Sequence, residues 1–165
     1  MNYLTRTNDG STDFSLQKMI FSPQISAKVQ SGTANLIIVP VDPQPVINHQ
    51  ELAAIGISVD DAYALMRAVR VAFQIGLIGR DIAPIQKGNA FELLQELPPQ
   101  KLARFGTGRV QNVRITRLES LCKHDSKAAG YTTLVEFQSY WASNFPNTPA
   151  ETNPWCWLIQ FEFKG

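Results

Sequence analysis

The amino-acid sequence predicts an α+β fold, and three stretches carry that prediction. Residues Arg109–Arg117 and Trp155–Phe163 alternate in side-chain character with a period of two, which is typical of β-strands. Residues Leu134–Trp141 instead place their apolar side chains three and four positions apart, as an amphipathic helix does. We therefore expect a mostly antiparallel sheet of about five or six strands, with helices packed at its ends.

Length and composition indicate one soluble, globular domain. A chain of 165 residues buries enough surface to form a core without disulfides or metals. Hydrophobic residues make up 44% and charged residues 18%, which argues against disorder. The formal net charge of +1 excludes a global basic field that would attract nucleic acid, although it allows a local basic patch.

The cysteines and histidines indicate neither a disulfide framework nor a metal site. Cys122 and Cys156 lack metal-ligand spacing, and neither His49 nor His124 lies near a second histidine or a cysteine pair. The first twenty residues lack the apolar core of a secretory signal, and no apolar run is long enough for a membrane span. We therefore expect a cytoplasmic protein without a cofactor and without a membrane partner.

The first part of the chain predicts a strand, a helix and a second strand. Residues 1–13 are polar and predict an adaptable terminus, whereas Lys18–Phe21 predicts a short strand. Ser22 and Pro23 are the residues favoured at a helix start, and Ser31-Gly32 is a suitable end. The β-branched run Leu36–Val39 predicts a strand that is buried on both faces.

The middle of the chain predicts two helices. Apolar residues at helical spacing favour a helix over about 59–75, although alternation from Val69 onward leaves a strand there as the rival prediction. Asn89 is a suitable cap for a short helix Ala90–Leu97, in which Phe91 and Leu94 share a face with Leu97 and which Pro98-Pro99 would end.

The last part of the chain predicts a loop or a single helical turn over Leu118–Lys127, then a helix and a strand. Thr132 or Thr133 would cap the helix that contains Leu134 and Trp141. In the strand, Trp155 and Trp157 lie on the same face as Ile159 and Phe161. This favours core packing of the two tryptophans over a base-stacking platform.

Two separated stretches carry the motifs of one known protein family. The first runs from Phe21-Ser22-Pro23 to Gly32 and is followed after a gap by Asp42-Pro43-Gln44-Pro45. The second combines Leu118–Leu121, Ala129-Gly130-Tyr131, Tyr140-Trp141 at a helix end, and Asn153–Glu162. These stretches resemble the ASCH domain, a small β-barrel related to the PUA fold of RNA-binding modules, in the versions common in phages and prophages. The resemblance implies a single PUA-like domain over residues 1–165, with residues 46–107 as a divergent, partly helical insertion.

The chain departs from that family at its functional positions. In related enzymes that hydrolyse the amide of acetylated cytidine, a lysine, a threonine and a glutamate are the proposed catalytic residues. A gapless alignment places Ala34 at the position of the lysine and Ile37 at the position of the threonine. Ala129 stands at the position of the glutamate, and Ile38 at the position of an arginine that the family also has. Neither alanine nor isoleucine can activate a nucleophile or transfer a proton. The resemblance therefore implies a barrel that has lost this chemistry.

Two classes of function remain open. The first is a non-enzymatic module that binds nucleic acid, with RNA favoured, or a host protein; its candidate nucleic-acid-binding residues are Lys28, Arg109, Arg114, Arg117 and Lys123. Arginines on a solvated strand face are common, so these residues need have no ligand. The second is an enzyme that acts on a modified nucleobase or RNA, either an amidohydrolase-like enzyme or a ribonuclease, with Lys28, Glu119 or His124 as substitute groups.

Overall fold

A single six-stranded sheet organises the chain. The structure, a computed structural model, describes residues 3–5, 17–46, 48–58, 60–77 and 83–165. The strands in chain order are β1 (Tyr3–Thr5), β2 (Gln17–Phe21), β3 (Leu36–Pro40), β4 (Ala90–Leu97), β5 (Lys101–Arg117) and β6 (Trp155–Lys164). Their order in the sheet is β1-β2-β4-β5-β6-β3, and every neighbouring pair is antiparallel except β2 with β4. This confirms the predicted α+β class with a mostly antiparallel sheet.

Five helices accompany the sheet in the described part of the chain. They are α1 (Pro23–Gln30), α2 (His49–Ala54), α3 (Ala62–Gln74), α4 (Lys123–Ala128) and α5 (Leu134–Asn144), with short 3₁₀ turns at Leu118–Ser120 and Ala150–Thr152. The predicted caps of α1 and α5 are confirmed, because Ser22 accepts from the Ile25 N–H and Thr133 from the Glu136 N–H. Asp61 caps α3, so that helix is confirmed and the rival strand from Val69 is wrong.

The sheet curls into a half barrel around an aromatic core. In a flat sheet β2 and β6 would lie about 14 Å apart, because β4 and β5 separate them. Phe21 on β2 and Phe161 on β6 nevertheless have ring centroids 6.4 Å apart, and Phe91 on β4 contacts Phe161 edge-on at 5.3 Å. The Phe91 ring lies over Gly108, where an added Cβ would come within 2.5 Å of it. Only glycine allows this approach, which closes the core of the curled sheet.

The stretch Ala90–Leu97 is a strand, so the predicted helix there is wrong. It pairs with β2 on one side and β5 on the other. Ala, Glu, Leu and Gln favour helices, and Phe91, Leu94 and Leu97 have helical spacing, but a weak local preference yields to pairing on both edges. The strand lies within the segment 46–107, which also supplies α2 and α3.

Other sequence expectations need correction as well. Tyr3–Thr5, within the stretch expected to be adaptable, pairs with β2; the rest of residues 1–13 lie outside the described residues. Leu134 is 56% exposed although it was expected on the buried face of α5. The strand β6 is buried on both faces from Trp155 to Ile159, since Cys156 and Leu158 are as buried as the tryptophans on the expected core face.

The strand β5 has a bulge and an open half, and both features position polar side chains. Its register with β6 slips at Gln111, between Val110 and Asn112. It pairs with β4 only from Lys101 to Arg109, so the remaining part has an open edge on that side. There α3 covers the edge: Arg70 donates to the Ile115 carbonyl at 3.4 Å and to Thr116 Oγ1 at 2.9 Å. Thr116 is therefore buried.

The segment Asp42–Pro45, which carries part of the family resemblance, is hydrogen-bonded to the start of β6. Gln44 Nε2 donates to the carbonyl oxygens of Val41 and Trp155, at 2.6 and 2.9 Å. The Trp155 N–H in turn donates to Gln44 Oε1 at 2.8 Å. Two of these three hydrogen bonds connect Gln44 with the distant Trp155, which gives the glutamine of this motif a structural role.

Candidate functional site

The positions that the resemblance assigns to reactive groups lie together in an apolar core. Ala34, Ile37 and Ala129 are each less than 5% exposed. Ile37 and Ala129 line one small cavity, and a Cβ built on Gly130 would lie 3.6 Å from the Cβ of Ala34. The Asn35 N–H donates to the Ala128 carbonyl at 2.8 Å and thereby holds the start of β3 against the end of α4. We call this space the sealed cavity; Met19, Phe21, Leu36, Ile37, Ile38, Ala129, Tyr131 and Tyr140 line it.

The sealed cavity has room for about one water molecule. Its volume is about 10 Å³, which is the lower limit for a single water. Its polar side chains are two tyrosines, Tyr131 and Tyr140, whose rings stack at 5.1 Å. Burial raises the pKa of Tyr140 well above its usual value, and the neighbouring Tyr131 adds to the effect. The Tyr140 phenol therefore stays protonated at neutral pH, where it can donate a hydrogen bond but cannot act as a base.

The residues considered as substitute catalytic groups lie elsewhere. None of Lys28, Glu119 and His124 is among the described residues that line the sealed cavity. Glu119 and His124 are exposed, and the Glu119 N–H is bound by Asn153 Oδ1 at 2.9 Å. The structure thus brings no substitute carboxylate or imidazole to the cavity wall in the part of the chain it describes.

Three of the five predicted cationic residues lie on or beside α4. Lys123 begins this helix, and Lys28 reaches its other end, where Lys28 Nζ donates to the Gly130 carbonyl at 2.7 Å. Arg114 on β5 forms an ion pair of 3.8 Å with Asp125 in the first turn of α4. Lys127, which the sequence argument missed, lies one helical turn after Lys123 and so on the same side of the helix. Asp125, the partner of Arg114, is two positions from each of these lysines, so Arg114 meets the helix on a different side from Lys123 and Lys127. We call the set Lys28, Arg114, Lys123 and Lys127, which surrounds the helix, the α4 surface.

The α4 surface carries more positive than negative charge. Lys123 and Lys127 are exposed, and the Arg114 side chain is 48% exposed. Asp125 partly balances this charge, but its carboxylate also accepts from the Cys122 N–H at 3.1 Å and from Cys122 Sγ at 3.3 Å. An exposed ion pair such as Arg114–Asp125 contributes only about 1 kcal/mol or less, so Arg114 can exchange this partner for a phosphate. The spacing of Lys127 four residues after Lys123 is the pattern that would have revealed it from sequence.

The remaining two predicted residues lie on opposite faces of the sheet. Because of the bulge at Gln111, Arg109 shares a face with Arg114: they pair with Glu162 and Leu158, which lie on one side of β6. Arg117 pairs with Trp155 and lies over its ring at 4.7 Å, while its Nη1 donates to the Asn153 carbonyl at 3.0 Å. The five predicted residues therefore do not form a single row along one strand face.

The tryptophans of β6 belong to the core, as expected from their alternation. Trp155 and Trp157 are 2% and 1% exposed. Trp157 packs against Phe73 at 5.1 Å, and Arg117 covers Trp155. Stacking on nucleobases would need rings that ligand can reach, so these two rings cannot serve in this conformation.

The described residues show no metal-binding group and no membrane helix. His, Cys, Asp and Glu side chains nowhere gather in threes in a way that could hold a metal ion, within the part of the chain that the structure describes. Among the same residues, every helix falls short of the length and apolarity needed to cross a bilayer.

Comparison with known proteins shows the fold but no family. No family model and no curated protein matches the sequence. Protein EF3133 from Enterococcus faecalis V583, described as DUF984, has a similar structure with a TM-score of 0.50 and 11% identity, over 96% of this chain and 76% of that one. The ASCH domain from Lactobacillus crispatus JV V101 gives a TM-score of 0.45 and 10% identity, over 84% of this chain and 69% of that one. At 11% identity, the similarity to EF3133 shows a shared α+β architecture alone.

Proposed function

We propose that this chain is a non-enzymatic module that binds single-stranded RNA through the α4 surface. The observation that carries the proposal is the placement of Lys28, Arg114 and Lys123 around one short helix, to which Lys127 adds a fourth cation. Lysine and arginine side chains that project into solvent neutralise phosphates and release their counterions, which supplies most of the affinity for a nucleic-acid backbone.

The sealed cavity supports the non-enzymatic part of the proposal. Ala34, Ile37 and Ala129 are buried where the ASCH resemblance places reactive side chains. A cavity of about 10 Å³ admits no nucleobase, and the neutral Tyr140 phenol cannot serve there as a base. The packed side chains stabilise the barrel end at this point instead of leaving it open for a substrate.

The resemblance to the ASCH domain, which is related to RNA-binding PUA modules, favours RNA among the polyanions that four cations could bind. The net charge of the chain is only +1, so attraction must come from this local surface and not from the protein as a whole. The phage and prophage versions of the family suggest the alternative occupant, a host protein, which the experiment below separates from RNA.

The proposal is tested by fluorescence anisotropy with a short labelled single-stranded RNA at several salt concentrations. The double variant Lys123→Glu/Lys127→Glu should weaken binding by on the order of tenfold or more, because two attractive charges become repulsive. The dependence of log affinity on log salt should also become shallower, by about 0.7 for each phosphate that the variant no longer neutralises. Lys101→Glu is the matched control, since Lys101 is an exposed lysine at the other end of β5. The affinity of this variant for RNA should stay within about twofold of that of the unchanged protein.

Three outcomes would contradict the proposal. Absence of RNA binding at low salt would exclude RNA as the ligand and leave a protein partner as the alternative. Equal weakening by Lys101→Glu and by the α4 double variant would show that general charge, and not this surface, drives association. Turnover of N4-acetylcytidine at high protein concentration, where we expect a flat time course, would contradict the non-enzymatic assignment.

A further inference from the structure

We infer that an open cleft between α3 and β5 binds one unstacked nucleobase of the RNA whose backbone lies on the α4 surface; this inference rests on the proposed function. The cleft has a volume of about 400 Å³, within the roughly 300–1,000 Å³ that is usual for small-ligand sites. It lies where β5 has left β4 and α3 takes the place of a neighbouring strand. We call it the α3–β5 cleft, and the residues that matter in it are Phe73, Gln74, Gln86, Lys87, Asn112 and Val113.

The apolar part of the cleft includes an aromatic ring that packs against the core. Phe73 is held by Trp157, whose ring centroid is 5.1 Å away and which is itself buried. Val113 adds a branched side chain from β5. A fixed aromatic face is the surface on which proteins stack single-stranded bases, with a contribution of about 1–3 kcal/mol per base.

The polar part of the cleft matches the edge of a heterocycle. Gln74, Gln86 and Asn112 line it, and the exposed carboxamide of Asn112 has one acceptor oxygen and an NH₂ group that donates twice. Nucleobase edges present donors and acceptors side by side, which a carboxamide can pair with in a bidentate manner. A purely apolar ligand would leave these groups without water, so the lining favours a planar and polar ligand over a lipid or an apolar side chain.

A tight turn brings positive charge to the same place. The turn formed by residues 86–89 is fastened to β5, because the Gly88 N–H donates to the Val110 carbonyl at 2.8 Å and the Val110 N–H to the Asn89 carbonyl at 2.9 Å. Lys87 on this turn lines the cleft, and Arg109 Nη1 donates to the Gly88 carbonyl at 3.0 Å. Two cations therefore flank the polar cleft, where a phosphate attached to the bound nucleoside would lie.

The cleft opens at the edge of β5: Asn112 lies on the same face as Arg114, whereas Val113 and Phe73 approach from the face of Trp157. Asn112 and Arg114 point to the same face of the sheet, two residues apart, which corresponds to about 7 Å. The bulge at Gln111 puts Arg109 on that face as well, about 15 Å from Arg114. A single strand that runs along β5 would thus meet Arg114, then the cleft beside Asn112, then Arg109 and Lys87.

The test separates base binding from backbone binding. A short single-stranded RNA that contains one 2-aminopurine is compared with an abasic oligonucleotide of the same length and charge. We expect the fluorescence of 2-aminopurine to change on binding, because the base leaves the stack of its neighbours and enters the cleft beside Phe73. Asn112→Leu, or Gln86→Leu as a second variant, should lower affinity for the base-containing RNA about threefold to tenfold and leave abasic binding unchanged. Gln111→Leu is the matched control, since Gln111 is the adjacent amide, points to Glu162 and lies outside the cleft.

The outcomes distinguish this inference from the proposed function. Binding that is weakened by the α4 double variant, but with unchanged 2-aminopurine fluorescence and no loss in Asn112→Leu or Gln86→Leu, would overturn the cleft assignment alone. Equal losses in Gln111→Leu and Asn112→Leu would overturn it too, because amide loss anywhere on β5 would then suffice. Failure of both oligonucleotides to bind would overturn the proposed function and this inference with it.

Discussion

The sealed cavity and the α3–β5 cleft lie on either side of the same strand. Ile37 on β3 and Val113 on β5 both pair with Ile159 of β6, so the two residues are about 10 Å apart across that strand. On the β3 side, the curl of the sheet brings Met19 and Phe21 of β2 against Ile37 and leaves a volume of about 10 Å³. On the β5 side, no strand pairs with β5 beside Val113, because β4 pairs with it only as far as Arg109. The helix α3 covers this edge only in part and leaves an open volume of about 400 Å³.

This difference shows how one sheet can fill the space beside one strand and leave the space beside another strand open to solvent. Space beside β3 is filled by apolar side chains, which leaves no room for a ligand and makes polar substitutions costly. Space beside β5 is lined by carboxamides and a lysine that remain in contact with solvent. The positions that the resemblance assigns to reactive groups are apolar, and the polar lining lies one strand further along.

The largest effect should come from placing the same carboxylate on either side of Ile159. Ile37→Glu buries a charge in the sealed cavity and should lower the free energy of unfolding by about 3 kcal/mol or more. Val113→Glu, at the matched register position, lets the carboxylate reach solvent through the cleft and should cost about 1 kcal/mol. Urea unfolding of both variants measures the difference. Equal losses would show that the two sides of β6 are equally closed, contrary to the comparison.

A smaller effect should follow from loosening the helix that forms the cleft. Arg70→Met removes the hydrogen bonds to the Ile115 carbonyl and to buried Thr116 Oγ1, and should cost about 1.5–3 kcal/mol. Arg67→Met is the control: Arg67 is exposed and lies on the same helix, so its loss should stay within about 0.5 kcal/mol. Thermal unfolding measures both. A stable Arg70→Met protein would mean that apolar packing alone holds α3 over the open edge of β5.

The smallest effect concerns the tyrosine of the sealed cavity at high pH. The pKa of Tyr140 is raised in the folded state, so above about pH 10 the unfolded chain releases a proton that the folded chain retains. The protonated Tyr140 phenol makes its full contribution to the free energy of unfolding below pH 10. Above pH 10 this contribution falls by up to about 1.4 kcal/mol per pH unit. Tyr140→Phe should therefore show a shallower decline between about pH 10 and pH 11.5. Parallel declines in urea-unfolding free energy would show that the phenol ionises freely and that the cavity admits water.

Local rules predicted the elements whose signals are short and unambiguous. Ser22-Pro23 and Thr133 act as helix starts because their side chains satisfy backbone N–H groups within three residues. The strand β6 follows from its alternation, although both faces are covered and not one. The segment Ala90–Leu97 was predicted wrongly because its helix-favouring residues say nothing of the two strands, β2 and β5, that pair with it.

The candidate site shows the same division between local and distant information. Sequence reasoning named Lys28, Arg114 and Lys123, which the fold gathers around α4, but it also named Arg109 and Arg117, which lie on opposite faces of the sheet. A single bulge at Gln111 decides which side of the sheet each arginine faces, and no pattern in the chain marks it. The α3–β5 cleft was not predicted from the sequence, because the residues that line it come from three separate segments around residues 73, 86 and 112.

The sequence by itself determined the class of fold, the caps of two helices, the buried aromatic strand at the end and the apolar character of Ala34, Ile37 and Ala129. These properties depend on neighbours a few residues away or on the identity of a single side chain. The tertiary structure alone decided that Ile37 and Ala129 line one small cavity, that four cations surround α4 and that a polar cleft opens beside β5. Those arrangements depend on strand pairing and on sheet curl, which join residues far apart in the chain.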